Sequence, residues 1–232
     1  MGHSRIIEQL EPCPMTSRPN RAHRLAVVGG QASRVLPDPR LAGAQALTDE
    51  QLVKLSRERD RVAFEALYRR HAGFAANLAT RIQGTAGEVD DIVHDAFLRA
   101  YQGLGELRDG AAFRAWLGSI VVRLVRSRLR RRRLLGVLGL STPDPIDLDA
   151  IAAHDAGPDT RVLLAQVYSL LQTMPPDDRI AWTLRTIERH RLETVATLTD
   201  CSLATAKRRI ARAQRYLEER FVAPFSEPEQ ES

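Results

Sequence analysis

The chain has 232 residues, of which 44% are hydrophobic and 27% charged, enough for one large or two small domains that each bury a core. Aromatic residues make up only 5%, and long Ala/Leu/Arg/Glu-rich stretches carry little β-branched clustering, which argues against a sheet-built fold and predicts an all-α protein. A formal charge of +5 and a pI near 9.7 point to a polyanionic partner; Cys13 and Cys201, outside any C-x-x-C spacing, form neither a disulfide framework nor a zinc site, and without a membrane-length apolar run or a signal peptide the expectation is a soluble cytoplasmic protein.

Residues 1–47 mix Pro, Gly, Arg and Ser without a sustained period and read as a disordered N-terminal tail, within which Met15 offers an alternative start. Helical structure is expected from Thr48, where T-D-E-Q forms a capping box: the Thr48 hydroxyl accepts from the Gln51 backbone N–H and Gln51 reaches back. A second helical pattern runs from Asp60 to Gln83, with Val62, Phe64, Leu67, Tyr68, Phe74, Ala75, Leu78 and Ile82 inward. After a break at 84–87 comes GEVDDIVHDAFLRAY, Gly87 to Tyr101, whose two faces make different demands. Val89, Ile92, Val93, Ala96, Phe97, Ala100 and Tyr101 recur at steps of three and four and form one apolar stripe. Asp91, His94, Asp95 and Leu98 share the opposite face, where three polar groups beside a leucine look like a docking surface.

A glycine-bounded loop, Gly103 to Gly110, is anchored by Leu104 and Leu107. A helix resumes at Ala111 and carries Phe113, Trp116, Leu117, Ile120, Val121 and Leu124 inward. Its second half changes character: Arg123, Arg126, Arg128 and the run Arg130 to Arg133 accumulate, with no acid between Ala111 and Leu140. Either this is a solvated charged face helped by the C-terminal helix dipole, or an anion, phosphate above all, neutralises it; repulsion between arginines on neighbouring turns favours the second reading. Residues 134–160 contain no Lys or Arg, several Asp, and breakers at Pro143, Pro145 and Gly157-Pro158, the composition of a flexible linker between two domains. Its acidity either keeps it off DNA or belongs to a merely solvated tether.

The second domain opens with Asp159 or Thr160 as N-cap and a helix bearing Leu164, Val167, Tyr168, Leu171 and Met174. Pro175-Pro176 ends it, and Asp177-Asp178 begin the next helix, with Ile180, Leu184 and Ile187 inward. A short helix over Leu192 to Leu198, a four-residue turn at Thr199 to Ser202 and a long basic helix from Leu203 to Arg220 have the layout of a helix-turn-helix. Ala204, Thr205, Lys207, Arg208, Ala211, Arg212 and Arg215 fall on the outer side of the last helix, where N-terminal side chains reach base edges and later arginines hold phosphates. A helical hairpin that serves only the core is the alternative.

Taken together, DRVAFEALYRRHA, EVDDIVHDAFLRAY and FRAWLGSI with its Arg-rich continuation, followed by MPPDDRIAWTLR, LETVATL and TAKRRIARAQRYL, resemble the bacterial RNA polymerase sigma-70 family, in its group IV or extracytoplasmic-function (ECF) class. The resemblance implies two small helical domains: sigma region 2 at 48–133 and the region 4 helix-turn-helix at 161–222, with the linker at 134–160 and a C-terminal tail at 223–232. It implies that Asp90, Asp91, His94, Asp95 and Leu98 dock on core polymerase, mainly the β′ clamp helices and also β. Arg108, Arg114, Trp116, Arg123, Arg126, Arg130 and Arg131 would capture the opened −10 element, although Trp116 is in phase with Ile120 and Leu124 and fits the core better than a base contact. Ser202, Ala204, Thr205, Lys207, Arg208 and Arg212 would read the −35 duplex. An anti-sigma factor is a further implied partner.

Departures from the family pattern stand at His94, where Gln is common, at Arg123 and Ser127, where Asn and Asp are, at Arg189 and Asp200, both common glycines, and at Thr194 and Ala206. Promoter preference is therefore not carried over. Two other classes compete: a DNA-binding regulator with a sigma-like body that no longer uses polymerase, and an enzyme with a metal on Asp91, His94 and Asp95. The enzyme reading has its ligands on one helix, no partner cluster and no nucleophile–base pair, so the expectation is a non-enzyme without metal or cofactor.

Overall fold

A computed structural model describes residues 39–140, 145–151 and 157–221, and every regular element among them is helical. Ordered structure begins before Thr48, contrary to expectation: Pro39–Gln45 forms α1, which buries Leu41 and Ala44. The rest of the expected tail, with Cys13 and Met15, lies outside the described residues, as does 223–232. α2 (Asp49–Arg57) opens on the capping box, the Thr48 hydroxyl accepting from Gln51 N–H at 3.3 Å and Gln51 Oε1 accepting from Thr48 N–H at 2.9 Å. α3 (Arg61–Gln83) is capped by the Asp60 carboxylate and stops at Gly84, whose φ of 72° only glycine adopts cheaply.

α4 (Val89–Gly103) buries its stripe as expected, with Tyr101 half-buried. Phe97 stacks at 4.6 Å from the Tyr68 ring and meets the Phe64 ring edge-on at 6.2 Å, which joins α4 to α3 through aromatic contacts. Leu104 and Leu107 anchor the loop, both buried. Gly110 is needed there because a Cβ would lie 2.8 Å from the Glu50 Cα. α5 (Phe113–Val137) starts two residues later than Ala111 and runs past Arg133, so the first part of the expected linker is helical. Phe113, Leu117, Ile120, Val121 and Leu124 complete the first core.

Residues 141–144, including Pro143, and 152–156 lie outside the described residues. Between them Leu148–Ile151 forms α6; Asp147 N–H donates to the Gly84 carbonyl at 3.0 Å, and Ile146 and Ile151 pack on the second core. α7 (Pro158–Thr173) is capped by Gly157 rather than Asp159 or Thr160, since Pro158 at the first helical position has no N–H to satisfy. α8 (Pro176–Trp182) widens into a π turn at Thr183–Ile187; α9 (Leu192–Leu198) and α10 (Leu203–Arg220) follow with the expected bounds. Val167, Tyr168, Leu171, Met174, Trp182, Ala213 and Leu217 form the second core.

The two units also touch. Ile180, Leu184, Val195, Leu198 and Ala206 join the core of the first unit, with a Leu198 methyl close to Gly118 on α5. No helix among the described residues is long and apolar enough to cross a membrane.

Candidate functional site

α4 presents its outer face as the periodicity requires. Asp90, Asp91 and His94 are exposed, Asp95 is half-buried, and Leu98 is 49% exposed, although it sits on a helix whose other leucine-sized positions are covered. A single exposed leucine is common; one that shares a helix face with Asp91, His94 and Asp95 is a surface that a basic, partly apolar partner fits. The described residues hold no cluster of three or more metal-ligating side chains, and Asp95 already faces Arg128 at 3.4 Å.

Four arginines in the basic half of α5 are paired with acids that lie far away in the sequence. Arg128 and Arg132 reach Glu88 at 3.2 and 2.9 Å, so the turn before α4 closes over α5. Arg126 and Arg130 reach Asp177 of α8 at 3.1 and 2.8 Å. The expectation that phosphate is the simpler neutraliser of this helix is thus corrected for four of its arginines: carboxylates distant in sequence do it within the fold. Arg123 and Arg131 are exposed on the same helix, as are Arg108 in the loop before it and Arg114, which lies 3.9 Å over the Phe74 ring. Trp116 is half-buried; its indole lies against Gly103 and 6.1 Å from the Phe113 ring, so it belongs in part to the core.

In the second unit the turn between α9 and α10 has the left-handed Asp200, φ 50°, where the sequence shows an acid in place of glycine. Ser202 then caps α10, its hydroxyl accepting from Thr205 N–H at 3.2 Å. Ser202, Ala204, Lys207 and Arg208 are exposed around the first turns, Thr205 is half-buried and receives the Arg208 guanidinium at 3.2 Å, and Ala206 is fully buried beneath them. Lys207 shares the rim of a cavity of about 420 Å³ with Arg185 and Arg189, the latter left-handed at φ 57°. These two arginines border the exposed start of α10 from outside that helix, and no periodicity in the sequence links them to it.

Arg212 is the exception among the expected duplex contacts, because its guanidinium forks onto the Asp178 carboxylate with two bonds of 2.5 Å. Asp178 is 1% exposed. Asp177 beside it collects Arg126, Arg130 and Arg209. Burial alone would raise the Asp177 carboxyl, but the hydrogen bond from Arg130 and the charges of Arg209 and Arg126 outweigh it and hold it below the usual carboxylate range. Sequence reasoning took this acid pair only as a helix start. Arg179, one residue on, is 4% exposed and donates from Nε to the Ile82 carbonyl at 2.8 Å and from Nη2 to the Gln83 carbonyl, serving the open C-terminal end of α3.

Comparison with known proteins places these elements. The sigma-70 region 2 family matches residues 67–134, and the sigma-70 region 4 family residues 164–217. The ECF RNA polymerase sigma-E factor of Escherichia coli K12 is 30% identical over 185 residues, which cover 74% of this chain and 93% of that protein. The sigma-E factor of Haemophilus influenzae is 28% identical over 191 residues, covering 77% and 97%. Among solved structures, the sigma factor RpoE of Bartonella quintana in complex with the anti-sigma factor NepR has a TM-score of 0.53 at 21% identity, covering 67% of this chain and 94% of that one, a likeness of fold. CnrH in complex with the cytosolic domain of CnrY has a TM-score of 0.50 at 25% identity, covering 74% and 95%. With both region families falling on the two helical units in chain order, the chain belongs to the sigma-70 family as a group IV, extracytoplasmic-function sigma factor, a promoter-recognition factor of RNA polymerase and not an enzyme.

Proposed function

We propose that the chain divides its work by charge. The face of α4 formed by Asp90, Asp91, His94, Asp95 and Leu98 docks on core polymerase, at the β′ clamp helices. The loop and helix carrying Arg108, Arg114, Trp116, Arg123, Arg126, Arg130 and Arg131 hold the opened −10 strand, and the start of α10, from Ser202 to Arg212, reads the −35 duplex. The observation that carries this reading is the separation of charge by face: acids with an exposed leucine on α4, and Lys207, Arg208 and capped backbone at the exposed N-terminus of α10. The working units are 48–133 for polymerase and −10 DNA and 161–222 for −35 DNA, with 134–160 spanning the polymerase between them.

Polymerase and chromosome place the site of action in the cytoplasm. The sigma factor RpoE in the Bartonella quintana structure is bound by the anti-sigma factor NepR, and we extend that kind of partner to this chain. The docking assignment is tested with the full chain carrying Asp91→Arg, which should keep its helix content and fail to co-purify with core polymerase. Retention at wild-type strength would remove α4 from the polymerase interface. Run-off transcription with purified core enzyme separates this reading from that of a DNA-binding regulator.

A further inference from the structure

The corner between α8 and α9 carries an arginine that its own turn does not require. Arg189 is left-handed at φ 57°, a conformation that disfavours a Cβ and that glycine, the residue common in the family pattern at this place, adopts without that cost. The turn is closed by bonds that a glycine would keep. Glu188 N–H donates to the Thr183 carbonyl and His190 N–H to the Leu184 carbonyl, both at 3.0 Å, and Arg185 Nη1 donates to the His190 carbonyl at 2.9 Å. None of these bonds uses the Arg189 side chain.

Arg189 is exposed and, with Arg185 and Lys207, lines the cavity of about 420 Å³ beside the start of α10. Leu192 and Ile210 line the same cavity and bring no charge to it. Three cations thus gather around one opening from two separate elements, the corner after α8 and α10 itself. Among the described residues neither Arg185 nor Lys207 pairs with a carboxylate. Glu188, the acid next to Arg189 in the chain, is held by Arg81 of α3 at 2.7 Å. Like charges brought together in this way repel one another, and an anion placed between them relieves the repulsion. A helix laid in the major groove has a phosphodiester strand on either side, so cations that flank it from a neighbouring element meet phosphates and not base edges.

We propose that Arg189 is a positioning residue for the −35 duplex: it holds a strained left-handed conformation and thereby sets a third cation, beside Arg185 and Lys207, against the phosphodiester strand that borders α10. The proposal rests on the reading that the start of α10 meets the −35 duplex. To that reading it adds a residue off the recognition helix whose contact carries no sequence information. Arg189 fixes how α10 sits in the groove, and its phosphate contact releases one further counterion on binding.

The test uses holoenzyme assembled from core polymerase and the full chain, and its probe is a duplex that the wild-type holoenzyme selects from a random-sequence pool. Arg189→Gln keeps a long side chain and the strain but removes the charge. Its plot of log affinity against log salt should become shallower by about 1, equally on the selected duplex and on point variants of its −35 element. Arg189→Lys should keep the wild-type slope. Arg189→Gly should lose slope as Arg189→Gln does, while the melting temperature of the full chain rises by about 2–4 °C because the left-handed strain is relieved. Lys207→Ala checks the underlying reading and should itself weaken binding. If it does so while Arg189→Gln and Arg189→Gly leave the slope unchanged, Arg189 makes no contact and the −35 reading stands without it. A changed base preference in Arg189→Gln overturns the phosphate role, and a melting temperature that does not rise in Arg189→Gly overturns the strain. If neither Lys207→Ala nor the Arg189 variants alter binding, or if the wild-type holoenzyme selects no duplex beyond those that core polymerase selects, the −35 reading and this proposal fall together.

Discussion

His71 shows how one side chain ties stability to pH. It is 4% exposed, its Nε2 lies 2.9 Å from the Asp49 carboxylate, its ring is 5.3 Å from that of Phe113, and its Nδ1 has no hydrogen-bond partner. Burial lowers its pKa below 6.5; Asp49 opposes this, and Arg114 and Arg70 reinforce it. The unfolded chain therefore takes up a proton before the folded one does. The resulting stability is complete above pH 6.5 and is lost as pH falls from there through the lowered folded value, so the melting temperature should drop across that window. His71→Gln should remove part of the drop, and His190, also lowered mainly by burial, supplies another part. Thermal melts of both proteins across the window measure it. Phe97 makes the complementary point about legibility: its inward position was readable from spacing alone, because in an amphipathic helix every third or fourth residue shares a face. The ionisation of His71 was not, because it depends on how deeply a neighbouring helix covers the ring.

At the scale of helices, local chemistry wrote the boundaries. Thr48 and Gln51, Asp60, Gly84 and Ser202 each start or stop an element through a bond or a dihedral that involves only nearby residues. The start of α10 is the most consequential of these, since the base contacts proposed for Lys207 and Arg208 depend on how its first turn is held. Ser202→Ala should cost about 0.5–2 kcal/mol through the lost cap, visible as a lower melting temperature. It should also weaken run-off transcription more than it weakens binding to core polymerase. Where sequence reading erred on elements, the cause was competition from outside the segment. α1 forms in a Pro- and Gly-containing stretch because α3 offers a surface that buries Leu41 and Ala44. The linker's described part folds because Asp147 finds the Gly84 carbonyl and Ile146 and Ile151 find the second core.

For the whole molecule, Gly84 is one of the points where the two units meet. It ends α3 in a left-handed turn, accepts from Asp147, and lies so close to Tyr168 that an added Cβ would stand 2.7 Å from the ring. Gly84→Ala should combine the left-handed cost of about 1–2 kcal/mol with separation of the units. The expected readouts are a lower melting temperature and a larger radius of gyration, and a variant that leaves both unchanged would show that the boundary adapts around the methyl group. The composition, the two amphipathic helices of the first unit and the capped basic helix of the second were enough to determine an all-α chain in two parts with an acidic face on α4, because periodicity and capping act over one or two turns of chain; the family was legible from the resemblance of its motifs. The tertiary structure alone decided which acids pair with the arginines of α5. Glu88 and Asp177 lie some 40 to 50 residues from the arginines they hold, and a charge pair at that separation is set by how helices pack and not by any pattern along them.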